Sequence, residues 1–458
     1  MTLPEDFIRE TRQIMGEARF DRFLGAFDEE ASVSIRVNPL SAAWQCQAAD
    51  KVPWCPEGYY LSSRPQFTFD PLFHAGCYYV QEAASMFVTH VLRSVTEGRF
   101  FCGITDDVTK EPSLCYALDL CAAPGGKSTA MRTVLPESSL LVSNEPIPTR
   151  AQILLENITK WGWPDCIVTN NYPRDFRKAK MLFDLILCDV PCSGEGMFRK
   201  DPATIGEWSL QNVEKCWRLQ REIVADVWEC LNPGGLLIYS TCTYNIKENE
   251  ENMRWIMETY DAEPVAIPTD PSWNITGSLL PGFDAPVYRF IPGITRSEGL
   301  FLCVLRKRGV RKVLPQKVLP QKSGLNVISS PPKFFAEQSG KAERGGARGG
   351  LNQRQTNPSF LRPSGSKRPS AEHRPPLTPP DSGGEAPRVD LSYQDALSYL
   401  RGEALVLPAD TPRGIVTVTY RGVPLGPAKN IGFRANNLYP KPWRIKSTHL
   451  PSEPPIII

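Results

Sequence analysis

The chain has 458 residues, 41% of them hydrophobic, with a formal net charge of +2, which is apolar material for two or three folded units and excludes a single small module. No apolar run reaches the ~18 residues that cross a bilayer, and Met1 to Arg12 mixes charges without an apolar stretch, so no membrane span or export signal is read and a cytoplasmic location is expected. Thirteen cysteines scattered without short paired spacing point to reduced thiols, with neither a disulfide framework nor a bound metal expected.

The small net charge hides a segregation. Residues 305–388 carry 17 Lys+Arg against 5 Asp+Glu, residues 389–458 carry 8 against 5, and the first 304 carry 27 against 40. A polyanion would feel the basic middle first, because phosphate attraction is long-range and independent of sequence.

In chain order, residues 1–77 combine helical periodicity (Phe7, Ile8, Met15, Phe20, Phe23, Leu24, Phe27) with a strand-like Ser34 to Val37 ended by Asn38-Pro39, a small α+β unit. Residues 78–306 alternate strand and helix patterns. Strands are expected over 114–120, 140–143, 166–169, 183–188 and 236–240, and helices over 128–135, 150–161, 213–231 and 248–260. That alternation predicts an α/β doubly wound parallel sheet, with 288–291 and 300–305 as a late edge hairpin. Residues 307–388 turn to Pro, Gly, Ser, Arg and Lys, with a tandem Val-Leu-Pro-Gln-Lys at 313–317 and 318–322, and read as a disordered basic linker. Arg344-Gly345-Gly346 and Arg348-Gly349-Gly350 inside it are either a solvated spacer or a segment that touches RNA. Residues 389–458, with a helix over 392–400, a strand over 414–420 and a Gly-rich basic stretch from Arg421 to Arg444, form a compact terminal domain.

The strand ending Ala117-Leu118-Asp119-Leu120 runs into Cys121-Ala122-Ala123-Pro124-Gly125-Gly126-Lys127 and then a helix. Open α/β sheets bind nucleotides at this carboxyl end of the first strand, and two glycines allow close backbone approach. A phosphate-binding P-loop is not supported, since the first glycine of G-x-x-x-x-G-K-[ST] is missing. Downstream, Asn144-Glu145 closes the second strand, where a carboxylate can accept hydrogen bonds from both ribose hydroxyls. The combination suits S-adenosylmethionine.

Two further strand ends carry cysteines fifty positions apart, Cys192 in Asp189-Val190-Pro191-Cys192-Ser193-Gly194-Glu195-Gly196 and Cys242 in Ser240-Thr241-Cys242-Thr243. With the cofactor loop and Tyr78-Tyr79-Val80-Gln81-Glu82-Ala83, the chain resembles the RNA 5-methylcytosine methyltransferases typified by the yeast nucleolar proteins and the bacterial Sun protein, and among them the bacterial small-subunit ribosomal RNA enzymes. The resemblance runs from about Ser34 to Arg306 and resumes at Tyr399-Leu400-Arg401-Gly402-Glu403 and Gly422 to Trp443. It implies a Rossmann-like methyltransferase sheet, an N-terminal α+β RNA-binding unit and a C-terminal PUA-like RNA-binding domain. It further implies a ribosomal RNA or small-subunit substrate, with transfer RNA as the alternative.

The chemistry explains the residue types. Carbon-5 of cytosine is a poor nucleophile, and addition of a thiolate at carbon-6 converts the ring into an enamine that can take a methyl group. By resemblance Cys242 attacks, Cys192 assists loss of the carbon-5 proton and release, and Asp189 faces the pyrimidine edge and the cofactor. Charge alone suggests that Lys127 holds Asp189 and lowers a nearby thiol's pKa. The expected cofactor contacts are Cys121, Ala122, Ala123, Pro124, Gly125, Gly126, Lys127, Glu145, Arg150, Asn171 and Asp189. The target base must be flipped out or unpaired to reach such a pocket.

Other readings exist for these residues. A lone strand-end cysteine is ordinarily a small buried hydrophobe, the reading kept for Cys121, Cys166, Cys188, Cys216 and Cys230. A redox pair lacks C-x-x-C. DNA cytosine methyltransferases use the Pro-Cys thiol as nucleophile, which would exchange the two roles, yet they lack Ser-Thr-Cys. An RNA-binding assembly factor with a dead site is opposed by the intact Cys242, Cys192, Asp189 and Lys127. The chain departs from the family at Val190, where alanine is usual, and at Thr169-Asn170-Asn171-Tyr172, where relatives often carry an adenine-side aspartate and Asn171 is positioned to substitute. It departs again at Ile291-Pro292-Gly293, where Pro-His is common.

Overall fold

The computed structural model describes residues 2–41, 46, 50–97, 115–137, 139–309, 323–329 and 386–457. Its strands form three sheets, of three, eight and four strands.

Helices α1 (Glu5–Met15) and α2 (Glu17–Gly25) are separated by Gly16 at φ +73°. Their buried Phe7, Phe20 and Phe23 lean on the central unit, Phe7 edge-on to Trp208 at 5.5 Å and Phe23 edge-on to Tyr244 at 5.0 Å. Strands β1 (Val33–Val37) and β2 (Gly58–Leu61) follow, then a short helix α3 (Pro71–His74) whose first turn is capped by Asp70, and β3 (Tyr78–Val80). The sheet order is β2-β1-β3, antiparallel, with Ile35 opposite Val80. Tyr78–Val80 therefore completes the N-terminal sheet, and a boundary at 77/78 cuts through it, because the backbone partners of this strand lie on β1.

The central sheet begins after α4 (Phe87–Glu97), an amphipathic helix the periodicity reading passed over. It contains β4 (Tyr116–Asp119), α5 (Gly126–Val134), β5 (Leu140–Asn144), α6 (Pro148–Trp161), β6 (Cys166–Thr169), α7 (Pro173–Lys178) and β7 (Phe183–Asp189). Then come α8 (Leu210–Trp228), β8 (Leu231–Thr241), α9 (Glu250–Thr259), β9 (Ala262–Pro264), β10 (Tyr288–Phe290) and β11 (Leu300–Lys307). The strand order is β10-β11-β8-β7-β4-β5-β6, with β9 on β11. Pairing is parallel from β8 to β6 and antiparallel at β11 and β10, which is the expected edge hairpin. Strands β4, β5 and β7 are buried almost throughout, as parallel strands covered on both faces must be. Leu185 and Leu187 point into the core under α4 and α5, and Ile186 and Cys188 into the one under α8 and α9. The sheet order reverses between β4 and β7, the switch point at which such sheets bind ligands.

Strand β8 starts five residues before the expected position, because Leu231 pairs with Phe183 and the strand continues through an irregularity at Asn232-Pro233-Gly234-Gly235, where Gly234 takes φ +79° and the pairing resumes at Leu236 with Leu185. Helix α8 ends correspondingly at Trp228.

Of the stretch 307–388, residues 310–322 and 330–385, with both arginine-glycine repeats, lie outside the described residues. Residues 323–329 correct the linker expectation, since they run antiparallel along the open edge of β6, with Val327 opposite Thr169. Their apolar Leu325 and Ile328 supply the reason, packing into the adjoining cores.

The terminal domain consists of β12 (Arg388–Asp390), α10 (Tyr393–Arg401), β13 (Gly414–Tyr420), β14 (Val423–Asn430) and β15 (Ala435–Asn437), in sheet order β12-β13-β14-β15. Its Leu397, Leu400 and Leu425 share one core with Leu61, Leu72 and Tyr78 of the N-terminal unit, and the Tyr393 hydroxyl donates to the carbonyl of Phe69 at 3.0 Å. The two outer domains are thus packed together beside the sheet. No helix among the described residues is long and apolar enough to cross a membrane.

Candidate active site

The loop from Cys121 to Lys127 leaves β4 and enters α5 at the switch point. Gly125 stands at φ +114°, a left-handed conformation that favours glycine. The loop carbonyls are held from α6, where Arg150 Nη2 donates to Ala123 O at 2.9 Å and Asn157 Nδ2 to Pro124 O at 2.8 Å. From β5, Asn144 O accepts from the Ala122 amide at 2.8 Å. The Cys121 side chain is partly buried and packs against the core, and desolvation raises its thiol well above the ordinary range. A second anchor was not legible in the sequence. Arg36 of β1 is fully buried and donates to Gln81 Oε1 at 2.8 Å, to Thr129 Oγ1 at 2.5 Å and to Gly126 O at 3.2 Å, tying the N-terminal sheet to the start of α5. Burial lowers its guanidinium to about 10.

At the end of β5, Glu145 is 1% exposed. Its Oε1 accepts from the Ile147 amide at 3.0 Å, whereas Oε2 has no hydrogen-bond partner among the described residues and lies 3.5 Å from Arg150 Nη1. A buried carboxylate oxygen left without a donor beside a glycine loop fits a ribose hydroxyl, so the residues present suit an adenosine-bearing cofactor. Asn171, expected on the adenine side, sits nearby, but both ends of its amide are engaged by the Asn326 backbone, with Oδ1 accepting from Asn326 N at 2.9 Å and Nδ2 donating to Asn326 O at 3.1 Å.

The two cysteine loops converge at the ends of β7 and β8. Cys192 Sγ and Cys242 Sγ are 3.3 Å apart, both partly exposed. Asp189, the last residue of β7, is held on both oxygens, by Lys127 Nζ at 2.9 Å and Ser240 Oγ at 2.7 Å. Burial pulls the Lys127 ammonium down, but Asp189 outweighs it, with Cys242 and Asp119 adding to the effect, and the lysine ends raised and charged. The Cys192 thiol is pushed well above its usual value, first by its hydrogen bond with Cys242 and then by burial. Asp119, buried under the loop and bonded by Ser128 Oγ at 2.6 Å, is raised by burial to about 7.

Behind the sulfurs lies a polar network that the motif reading left without a role. Glu248 accepts from Ser193 N at 3.1 Å, Asn245 Nδ2 at 2.9 Å and Gln220 Nε2 at 2.6 Å. Glu195 accepts from Tyr244 N at 2.6 Å, Asn245 N at 3.1 Å and Trp208 Nε1 at 3.0 Å. Asn245 Nδ2 also reaches Glu195 Oε1 at 2.9 Å, bridging the two carboxylates. Burial, and then the charge of Glu195, raise Glu248 to about 7. Deeper still, Glu250 and Arg289 form a buried ion pair, and Arg289 Nη1 donates to Tyr244 O at 2.7 Å. The only sequence signal for Glu195 was its place in the Pro-Cys motif; Glu248 and Gln220 gave none, since the contact joining them spans 28 positions, and Asn245, three residues from Glu248, meets Glu195 across 50.

Cys242, Cys192, Asp189 and Lys127 are therefore one cluster, and the 121–127 loop with Glu145 and Arg150 is a second one adjoining it through Lys127.

Comparison with known proteins finds matches to three parts of the chain. Residues 110–306 match the family described as 16S rRNA methyltransferase RsmB/F, residues 3–83 the N-terminal domain of 16S rRNA methyltransferase RsmF, and residues 386–445 the methyltransferase RsmF PUA domain. Ribosomal RNA small subunit methyltransferase F of Escherichia coli is 29% identical over 489 aligned residues, covering 96% of each chain. The protein of the same name from an Enterobacter species is 29% identical, covering 96% of this chain and 95% of its own. Among solved structures, a methyltransferase homologue from Pyrococcus horikoshii superposes with a TM-score of 0.53 at 24% identity, over 66% of this chain and 95% of its own. NSun6 from Pyrococcus horikoshii superposes with a TM-score of 0.52 at 19% identity, over 67% and 98%. These two likenesses establish the fold. From its three matched domains and its end-to-end similarity to the curated relatives, the chain belongs to the RsmF-type group of the RsmB/F family, S-adenosylmethionine-dependent RNA methyltransferases.

Proposed function

We propose that the chain forms 5-methylcytosine in the 16S ribosomal RNA of the small subunit, in the cytoplasm, with Cys242 as nucleophile. The observation that carries this reading is the 3.3 Å approach of the Cys192 and Cys242 sulfurs beside an Asp189 held by Lys127 and Ser240.

Cys242 adds through its sulfur to carbon-6 of a cytosine flipped out of its helix. The lysine ammonium favours the anionic form of a thiol beside it, and the Cys192 and Cys242 sulfurs stand within hydrogen-bonding distance of each other. Asp189 faces the polar edge of the pyrimidine, its orientation held from two sides. S-adenosylmethionine supplies the electrophilic methyl group that carbon-5 receives, and the residues that would hold it are the 121–127 loop, Glu145 and Asp189, with Arg150 bracing the loop. Once Cys242 Sγ is bonded to carbon, it no longer takes up the Cys192 proton, and the chief cause of the raised Cys192 value is removed. Cys192, its own proton released to solvent, is then the base that takes the carbon-5 proton; the electron pair of that C–H bond restores the carbon-5–carbon-6 double bond while the Cys242–carbon-6 bond breaks and its pair leaves on the Cys242 sulfur.

Incubation of the full chain with tritiated cofactor and small ribosomal subunits tests the reading. Label in 5-methylcytosine is expected; its absence from cytosine, or its appearance in transfer RNA instead, rejects it. Cys242→Ala is expected to abolish turnover. Cys192→Ala is expected to accumulate protein bonded covalently to RNA, and a Cys192→Ala protein that turns over normally removes that assignment.

A further inference from the structure

Residues 325–329 add a short antiparallel strand to β6, the outermost strand on its side of the sheet. The Ile328 amide donates to Val168 O at 3.0 Å, the Asn170 amide to Asn326 O at 2.9 Å, and the Val168 amide to Ser329 Oγ at 2.8 Å. Asn171 fastens the same segment through its side chain, meeting both the N–H and the carbonyl of Asn326. Leu325 is buried in the core beneath, and Ile328 packs on the cluster that contains Ala122 and Ala123.

The residues gripping this strap also hold the expected cofactor contacts. Asn144 Oδ1 accepts from the Asn171 amide at 3.0 Å and from Thr169 Oγ1 at 2.9 Å, and Asn144 Nδ2 donates to Leu120 O at 3.0 Å and Asn171 O at 2.9 Å. Asn170 Nδ2 donates to Glu145 O at 2.7 Å. One continuous chain of hydrogen bonds thus runs from the strap through Asn170 and Asn171 to Asn144 and Glu145, and on to the end of β4. An unpaired edge strand leaves its backbone groups to water and its ends mobile. The strap removes that freedom on the side of the pocket where the family's aspartate is missing.

We infer that residues 325–329 are a positioning element of the cofactor pocket, holding Asn170 and Asn171 so that Glu145 and Ala122-Ala123 are preorganised for S-adenosylmethionine. The inference rests on the cofactor assignment proposed above. Asn171 acts here as the clasp of the strap, which is why its amide is turned toward Asn326.

Isothermal titration of the full-length protein with S-adenosylhomocysteine, alongside RNA-binding measurements, tests this. Asn326→Pro removes the N–H that Asn171 accepts and is expected to weaken cofactor binding about tenfold, the equivalent of one good hydrogen bond, with RNA affinity unchanged. Asn326→Ala keeps the backbone groups that Asn171 meets and gives up only the 3.5 Å contact of its amide with Asn170 Oδ1, so its cofactor affinity is expected to fall by no more than about twofold. Hydrogen exchange on the unmutated protein gives a second readout, with slower exchange expected at Asn170 and Ile328 on adding S-adenosylhomocysteine. Wild-type affinity in Asn326→Pro, or exchange at those amides indifferent to the ligand, overturns the inference. A wild-type chain that binds no S-adenosylhomocysteine overturns the cofactor assignment and the strap's role together.

Discussion

The Gly196 amide donates to the carbonyl of Cys242 at 2.7 Å, and a Cβ at position 196 would stand 2.5 Å from that same oxygen. The Pro-Cys loop and the Ser-Thr-Cys loop are thereby clamped together at backbone level, with Glu298 O at 3.1 Å closing the remaining space. Gly196→Ala must therefore separate the loops. Its kcat is expected to fall roughly 10- to 100-fold, the cost of displacing a reacting group by a fraction of an ångström to an ångström, while cofactor affinity measured by titration stays within about twofold of wild type.

Lys127 supplies a positive charge that interacts with Cys242, and Asp189 and Cys242 are among the groups that raise it. Lys127→Met withdraws that charge, so a thiol beside it ionises less readily. The acid limb of the pH profile of kcat/KM is expected to move to higher pH, and Lys127→Arg to restore it in part. A profile unmoved in Lys127→Met removes the lysine from thiolate stabilisation.

Glu248 has its carboxyl raised by burial from an ordinary 4.5 to about 7. A carboxyl that binds its proton more tightly when folded contributes stability below its unfolded value and loses that contribution as pH rises through the folded value. Between about 4.5 and 7 the wild type should therefore lose stability from this group, and Glu248→Gln should not, a relative gain on the order of 2 kcal/mol for the variant across the window. Melting curves of both proteins at pH 5 and pH 7.5 check it; a gap that stays constant shows that Glu248 does not titrate there.

Arg36 joins β1 to the first turn of α5 from a fully buried position and stacks 4.4 Å from the Trp161 ring. Arg36→Ala opens a cavity and strips donors from Gln81, Thr129 and Gly126, with an expected destabilisation of about 2–4 kcal/mol. Chemical denaturation measures this, and weakened cofactor binding should accompany it because the loop start loses its anchor.

Much of this architecture was legible from local pattern. The buried runs that became β4, β5, β7 and β11 are continuous apolar segments, and such segments, set between helical periodicities, specify a parallel sheet with few alternatives. The 121–127 loop was readable for the same reason, since proline and glycine constrain the turn within a few residues. Helix α4 and the start of β8 were passed over: the one follows an irregular turn, and the other crosses a Pro-Gly-Gly run that looks like a break until Leu231 is seen paired with Phe183. Residues 323–329 were lost inside a stretch whose average composition outweighs its two apolar anchors, Leu325 and Ile328.

By itself the sequence determined which side chains are available for covalent chemistry and at which strand ends they stand, because strand ends and turns are set by neighbours along the chain. Only the tertiary structure decided that Cys192 and Cys242 approach to 3.3 Å, that Glu248 and Glu195 share Asn245 behind them, and that Asn171 grips Asn326. Those partners are up to 155 positions apart. Their meeting depends on how helices and strands pack across the sheet, which no local periodicity encodes.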